Sequence, residues 1–254
     1  MPNHDRITAQ RRGPGTFALG LVAVGGMLAG AGLRAEDWGG SIGYSSDNLY
    51  HGLSLSADRP VWLADLHYEI GADWVVGAGA SGVRPRHDTP GSQITLYLDR
   101  RWQFDEDWSA KIGVAHYDWP GSFWREELSY DEINAVIGYR GRWTMSIAAS
   151  PNATGTYSFE HSRTGLATWF ELGFHQPIAG RLGADLGVGY ADRRNTGDYN
   201  YRYASVGLNY GIGDAHVFLS GLWTSKVAAD YWWDAPAQTA QTRSRWVASL
   251  IWAF

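Results

Sequence analysis

Four stretches bring together residue types whose spacing could do chemistry. "GAGASG" sets Gly77, Gly79 and Gly82 at the G-x-G-x-x-G spacing that cradles a dinucleotide pyrophosphate. That fingerprint has to open a helix and needs an acid about twenty residues further on. The residues after Gly82 are "VRPRHDTPG", which cannot begin a helix, so the glycines read as small residues within a strand. His67 with Glu69, and His116 with Asp118, stand two apart and share one face of an extended chain, as two metal ligands would. Neither pair has a third ligand nearby in sequence, and both read as solvated lumen or rim residues. "FEHSRTG" places His161 beside Ser162, the residue types of an acyl hydrolase. Neighbours on an extended segment point in opposite directions and cannot act as base and nucleophile without a sharp turn. No catalytic residue, metal ligand or cofactor is therefore assigned.

All four stretches belong to a chain with a dominant two-residue period. "RLGADLGVGYA" alternates Leu182, Ala184, Leu186, Val188 and Tyr190 with Gly183, Asp185, Gly187, Gly189 and Ala191. Trp62, Ala64, Leu66, Tyr68 and Ile70 oppose Asp65, His67 and Glu69 in the same way, and Ile133, Ala135, Ile137 and Tyr139 oppose Glu132 and Asn134. One face is apolar and the other small or charged. Among the 254 residues are 14 Trp, 14 Tyr and 32 Gly, yet only 19% are charged, and mean hydropathy is mildly negative. A helical membrane protein would show runs of about 20 apolar residues, whereas in a membrane barrel only alternate residues face lipid and the average hides them. The net charge of −5 argues against a nucleic-acid partner. The absence of cysteine excludes disulfides, zinc–thiolate sites and a lipoprotein anchor.

The pattern predicts an all-β fold, a transmembrane antiparallel barrel of about twelve strands over 38–47, 61–70, 74–84, 93–104, 108–119, 130–140, 143–150, 165–176, 181–192, 199–210, 214–224 and 243–254. Tight turns at 71–73, 105–107, 141–142, 177–180 and 211–213 alternate with longer connections around 54–60, 85–92, 120–129, 151–164, 193–198 and 225–242. Short periplasmic turns and longer outer loops are the mark of an outer-membrane barrel, with both termini periplasmic when the strand number is even. Trp74, Trp108 and Trp143 begin strands just after short turns, and Trp102, Phe104 and Tyr210 lie just before them. This predicts an aromatic girdle at one headgroup level. The only continuous apolar stretch comes after Arg11 and Arg12 and runs from Thr16 to Gly30, ahead of small residues. It reads as a signal peptide over 1–35, cleaved after Ala31 or Ala35, leaving a barrel over 36–254.

The chain ends "SRWVASLIWAF", with Trp246, Leu250, Trp252 and Phe254 on one face of the last strand. This resembles the C-terminal signal read by the barrel assembly machinery. A second resemblance begins at "YSSDNLYHGLSLSADRPVWLADLHYE", which is similar to the opening signature of the TorF-type porin family. Ser46, Asp47, Gly52, Ser54, Pro60 and Tyr68 match, while Asn48 stands where that family has an aromatic and His51 where it has an arginine. "DWVVGAGASGV", "YDWPG" and "SYDEI" extend the likeness over much of the chain. It implies an outer-membrane barrel with a pore role, and carries over no catalytic residue.

On the face assignments, Asp65, Glu69, Asp99, Glu132, Glu171 and Asp185 point inward with Asn134, against the inward bases Arg101 and Lys111. The expectation is a channel for small polar solutes or ions with a weak cation preference, partnered by outer-membrane lipids. The competing reading is a barrel whose loops work, as a lipid-modifying acyl hydrolase or a surface binder; "AADYWWDAPAQ" (228–238) is aromatic enough to bind something.

Overall fold

The computed structural model describes residues 38–84, 90–120, 129–154, 164–196, 200–225 and 244–254. The expected signal peptide, the pair His161 and Ser162, and the aromatic segment 228–238 lie outside the described residues.

Twelve strands close into one antiparallel barrel. In chain order the wall is β1 (Trp38–Ser45), β4 (Val61–Ile70), β5 (Trp74–Val83), β6 (Gly91–Gln103), β7 (Trp108–Asp118), β8 (Tyr130–Tyr139), β9 (Trp143–Thr154), β10 (Thr164–Ala179), β11 (Leu182–Asp192), β12 (Tyr201–Ile212), β13 (Ala215–Thr224) and β14 (Arg245–Ala253). Each strand pairs with its sequence neighbour, and β1 closes the ring by pairing with β14 on one side and β4 on the other. Closure matters because lipid offers no partner for an open sheet edge. The remaining strands, β2 (Leu49–Tyr50) and β3 (Leu53–Ser54), form a separate two-stranded sheet between β1 and β4.

The two-residue period has become two environments. Trp62, Leu66, Ile70, Ile133, Ile137, Leu186 and Val188 are exposed on the outer face, whereas Glu132, Asp99 and Asp185 are buried on the inner one. On β14, Trp246, Leu250 and Trp252 are exposed, and so is the terminal Phe254. At the short-turn end Trp74, Phe104, Trp108, Trp143 and Tyr210 are exposed, with ring neighbours such as Trp108–Tyr139 and Trp143–Phe174, each 4.6 Å apart. Trp102 is half-buried beneath Arg100, whose guanidinium lies 4.9 Å from its ring.

Three turns differ from the sequence reading, the last of them at Gly213 and Asp214 rather than 211–213, because β12 runs on to Ile212. At 139–142 the left-handed residues are Arg140 (φ 54°) and Gly141 (φ 61°), and Arg142 N–H donates to Tyr139 C=O at 3.0 Å. The turn therefore centres one residue earlier than expected, on a pair with positive φ at both positions, which matches the twist of the flanking strands. The second difference is β10, which runs through Pro177 to Ala179 and leaves the turn to Gly180 and Arg181. His175 N–H donates to Arg142 C=O at 2.7 Å, beyond the last β9 pair at Trp143 and Phe174. Two residues on, the proline nitrogen points the same way, past the end of β9, so its missing N–H costs no ladder bond.

Candidate functional site

The inner face carries paired charges toward the short-turn end. Asp65 accepts from Tyr97 Oη at 2.7 Å and lies 2.8 Å from His67 Nδ1. Glu69 pairs with Arg101 at 3.0 Å and Asp99 with Lys111 at 3.2 Å. Asp185 lies 2.8 Å from His175 Nδ1 and accepts from Asn209 Nδ2 at 2.5 Å. Asn134 turns a carboxamide oxygen inward beside Asp99, across Gly113. Inward glycines make room for the larger groups: a Cβ on Gly77 would lie 2.4 Å from the Tyr97 ring, and one on Gly113 would lie 2.0 Å from Asp99 Oδ1. The "GAGASG" glycines thus serve a strand, where Tyr97 crosses the first of them. His67 and Glu69 share a face but have different partners. His116 pairs with Asp131 at 2.8 Å rather than with Asp118, which accepts from Ser129 Oγ at 2.9 Å. No group of three or more His, Cys, Asp or Glu able to hold a metal ion occurs among the described residues.

Above these pairs the segment between β1 and β4 folds into the barrel. Leu49–Tyr50 and Leu53–Ser54 pair as a hairpin, whose two-residue turn is His51 (φ 45°) and Gly52 (φ 80°). Positive φ at both central residues again makes the tight turn, and Gly52 is required twice over, since a Cβ there would lie 2.3 Å from the Tyr203 ring. The base is tied by Asp47, which accepts from Ser54 Oγ and Ser56 Oγ at 2.7 Å each and pairs with Arg245 at 2.6 Å. Asn48 Nδ2 donates to Ser81 Oγ and Gly82 C=O, both at 3.1 Å. Leu49 and Leu53 pack with Trp169, Tyr201, Tyr203, Leu222 and Val247; Tyr50 packs with Val75, Tyr97 and Tyr117.

The tip reaches the far wall. In a ring of twelve, β9 and β10 stand opposite β1 and β4. His51 Nδ1 lies 3.1 Å from Glu171 on β10, and its Nε2 lies 3.4 Å from Glu132 on β8. The hairpin therefore spans the lumen diameter. Its ring stacks on Trp169 at 4.7 Å and 13° between planes, with Tyr50 edge-on at 4.1 Å. Tyr50 also donates to Glu132; Tyr203 and, at 3.0 Å, Ser146 donate to Glu171. Burial by itself disfavours the charged imidazolium, but the Glu171 carboxylate and the hydrogen bonds to both acids outweigh it and push the His51 pKa from 6.5 up to about 9.

Solved structures share this architecture. The KdgM porin superposes with a TM-score of 0.52 at 9% identity, over 84% of this chain and 99% of that one. An outer membrane channel from Pseudomonas putida F1 gives a TM-score of 0.54 at 9% identity, over 87% and 96%. The fold is that of an outer-membrane β-barrel. No family model and no curated protein matches the chain in sequence.

Of the residues singled out from sequence, Glu132 and Glu171 meet at the hairpin tip. Asp65, Glu69, Asp99, Arg101, Lys111, Asn134 and Asp185 stand nearer the short-turn end. Sequence reasoning met Asp47 and His51 only as positions in the family resemblance, with no role assigned, and missed Tyr50, Trp169, Tyr203 and Arg245. One signal was available: "LYHGLS" sets His-Gly, a pair that tolerates left-handed backbone, between two short segments of like pattern.

Proposed function

We propose that the protein is an outer-membrane channel for small polar solutes or ions, weakly preferring cations, and that the hairpin sets its constriction. The observation that carries this reading is the set of charged pairs lining the inner wall from Asp65 to Asp185. A barrel needing only a filled interior would place apolar side chains there at less desolvation cost. The likeness to porins and channels supports the same class. Toward the short-turn end four inward carboxylates, Asp65, Glu69, Asp99 and Asp185, face two fixed cations, Arg101 and Lys111, so this part of the wall is net negative and favours positive ions. The KdgM porin has been seen in complex with oligogalacturonate; an acidic wall disfavours an anionic sugar here. Membership of the TorF-type family, export by a signal peptide over 1–35, insertion by the barrel assembly machinery and a periplasmic placement of both chain ends complete the proposal.

The test is conductance of the purified, refolded protein in a planar bilayer, beside a variant whose residues 49–54 are replaced by a short glycine linker. Ion conduction by the hairpin-less barrel, with less by the wild type, is expected. A folded hairpin-less barrel that conducts nothing overturns the channel reading.

A further inference from the structure

Glu132 and Glu171 do more at the tip than hold a loop. They come from β8 and β10, on either side of β9, and leave between them a slot the width of one flat ring. Each accepts a further hydrogen bond: Glu132 Oε2, which faces His51, also accepts from the Tyr50 hydroxyl, Glu171 Oε1, which faces His51, also accepts from Tyr203, and Glu171 Oε2 accepts from Ser146. The floor of the slot is the Trp169 indole, nearly parallel to the ring it carries, and an aromatic face under a cation adds attraction that grows with burial. Two carboxylates share one imidazolium, so the slot is left with negative charge even when filled.

We propose that the Glu132–Glu171–Trp169 slot is a binding site for a planar organic cation, of the guanidinium or imidazolium class, and that His51 is its tethered occupant. The elevated His51 pKa supports a charged occupant at neutral pH. The indole floor demands a flat ligand, and one carboxylate on each side demands two opposed hydrogen-bond donors; a sodium ion offers neither. Tethering gives His51 a high effective concentration at the slot, so an external cation of this class competes only when its own concentration is high. For transport, which rests on the channel function proposed for the barrel, the consequence is that the hairpin tip narrows the lumen by acting as a resident solute.

His51→Gly empties the slot and suits the left-handed backbone at that position. Calorimetry of the refolded barrel with methylguanidinium, a small planar cation that stays charged at all working pH values, tests the site. Saturable binding to His51→Gly is expected, at least tenfold weaker in the wild type and in His51→Gly carrying Glu132→Gln and Glu171→Gln, with sodium chloride at equal ionic strength giving no saturable signal. Absent binding to His51→Gly, or equal binding with both acids neutralised, overturns the proposal. If His51→Gly does not fold, His51→Arg and His51→Leu replace it. Arg should keep the tip docked against hydrogen exchange and Leu should release it, and equal protection in the two refutes the site. Binding without conductance would uphold the site and sink the channel, whereas conductance without binding would do the reverse.

Discussion

Phe254 and Gly40 exchange both backbone hydrogen bonds, Gly40 N–H to Phe254 C=O at 2.9 Å and Phe254 N–H to Gly40 C=O at 3.0 Å. The last residue of the chain is thus the last stitch between the first and last wall strands. It also lays an exposed ring on the outer face, 5.8 Å from Trp252. Deleting Phe254 removes two ladder bonds, each contributing about 0.5–1.5 kcal/mol, together with that lipid-facing ring. Outer-membrane insertion should fall more on this deletion than on Ala253→Ser, as read by heat-modifiable migration on a gel. Equal insertion of the two would show that closure does not depend on the terminal aromatic.

The hairpin tip should respond to alkali. A histidine whose pKa is raised on docking supports the docked state fully below its ordinary value of 6.5 and ceases to do so as pH rises through about 9. The groups facing the ring are Glu132 on β8, Glu171 on β10, Tyr50 on β2 and Tyr203 on β12, with Trp169 stacked beneath it. Hydrogen exchange at Leu49 to Leu53, corrected for its intrinsic pH dependence, should accelerate across about pH 9, and His51→Asn should abolish the step. A flat profile in the wild type would mean that the apolar packing of Leu49 and Leu53 alone holds the hairpin.

The wall was legible in the sequence because a barrel strand repeats one rule for ten residues. β4 falls on the residues expected for it, 61–70, and the tight turns mark where the rule resets. Pro177 misled because a proline usually ends a strand, and only the shorter neighbour β9 makes its missing N–H harmless. The hairpin was illegible for a different reason. Each of its strands has two residues, too few for a period to declare itself. Its partners stand 81 and 120 residues away, and only the circumference of a twelve-stranded ring sets them opposite the first loop.

Gly77 should tolerate no side chain. A Cβ there would meet the Tyr97 ring at 2.4 Å and displace the phenol that donates to Asp65. Gly77→Ala should cost about 1–3 kcal/mol, as overpacking does. Gly173→Ala makes the control, because its new methyl would find nothing closer than 3.8 Å. The check is the urea midpoint of unfolding, monitored by loss of the heat-modifiable band, and similar midpoints for the two variants would mean that the Tyr97–Gly77 contact relaxes freely.

Charge selectivity is best probed away from the hairpin, since neutralising Glu132 and Glu171 would also release His51. Asp65 and Asp185 serve better. Both stand toward the short-turn end, and an asparagine at either position keeps an acceptor for Tyr97 or Asn209. The double variant Asp65→Asn with Asp185→Asn removes two negative charges from a wall whose fixed cations, Arg101 and Lys111, remain paired to Glu69 and Asp99. Under a salt gradient the wild-type reversal potential should carry the sign of a cation preference, and the double variant should move it toward zero while its heat-modifiable migration stays unchanged. Raising salt should shrink the difference, because the screening length falls from about 10 Å at 0.1 M to about 3 Å at 1 M. An anion preference in the wild type would mean that cations in the outer loops, rather than the inner-wall carboxylates, set the field along the path.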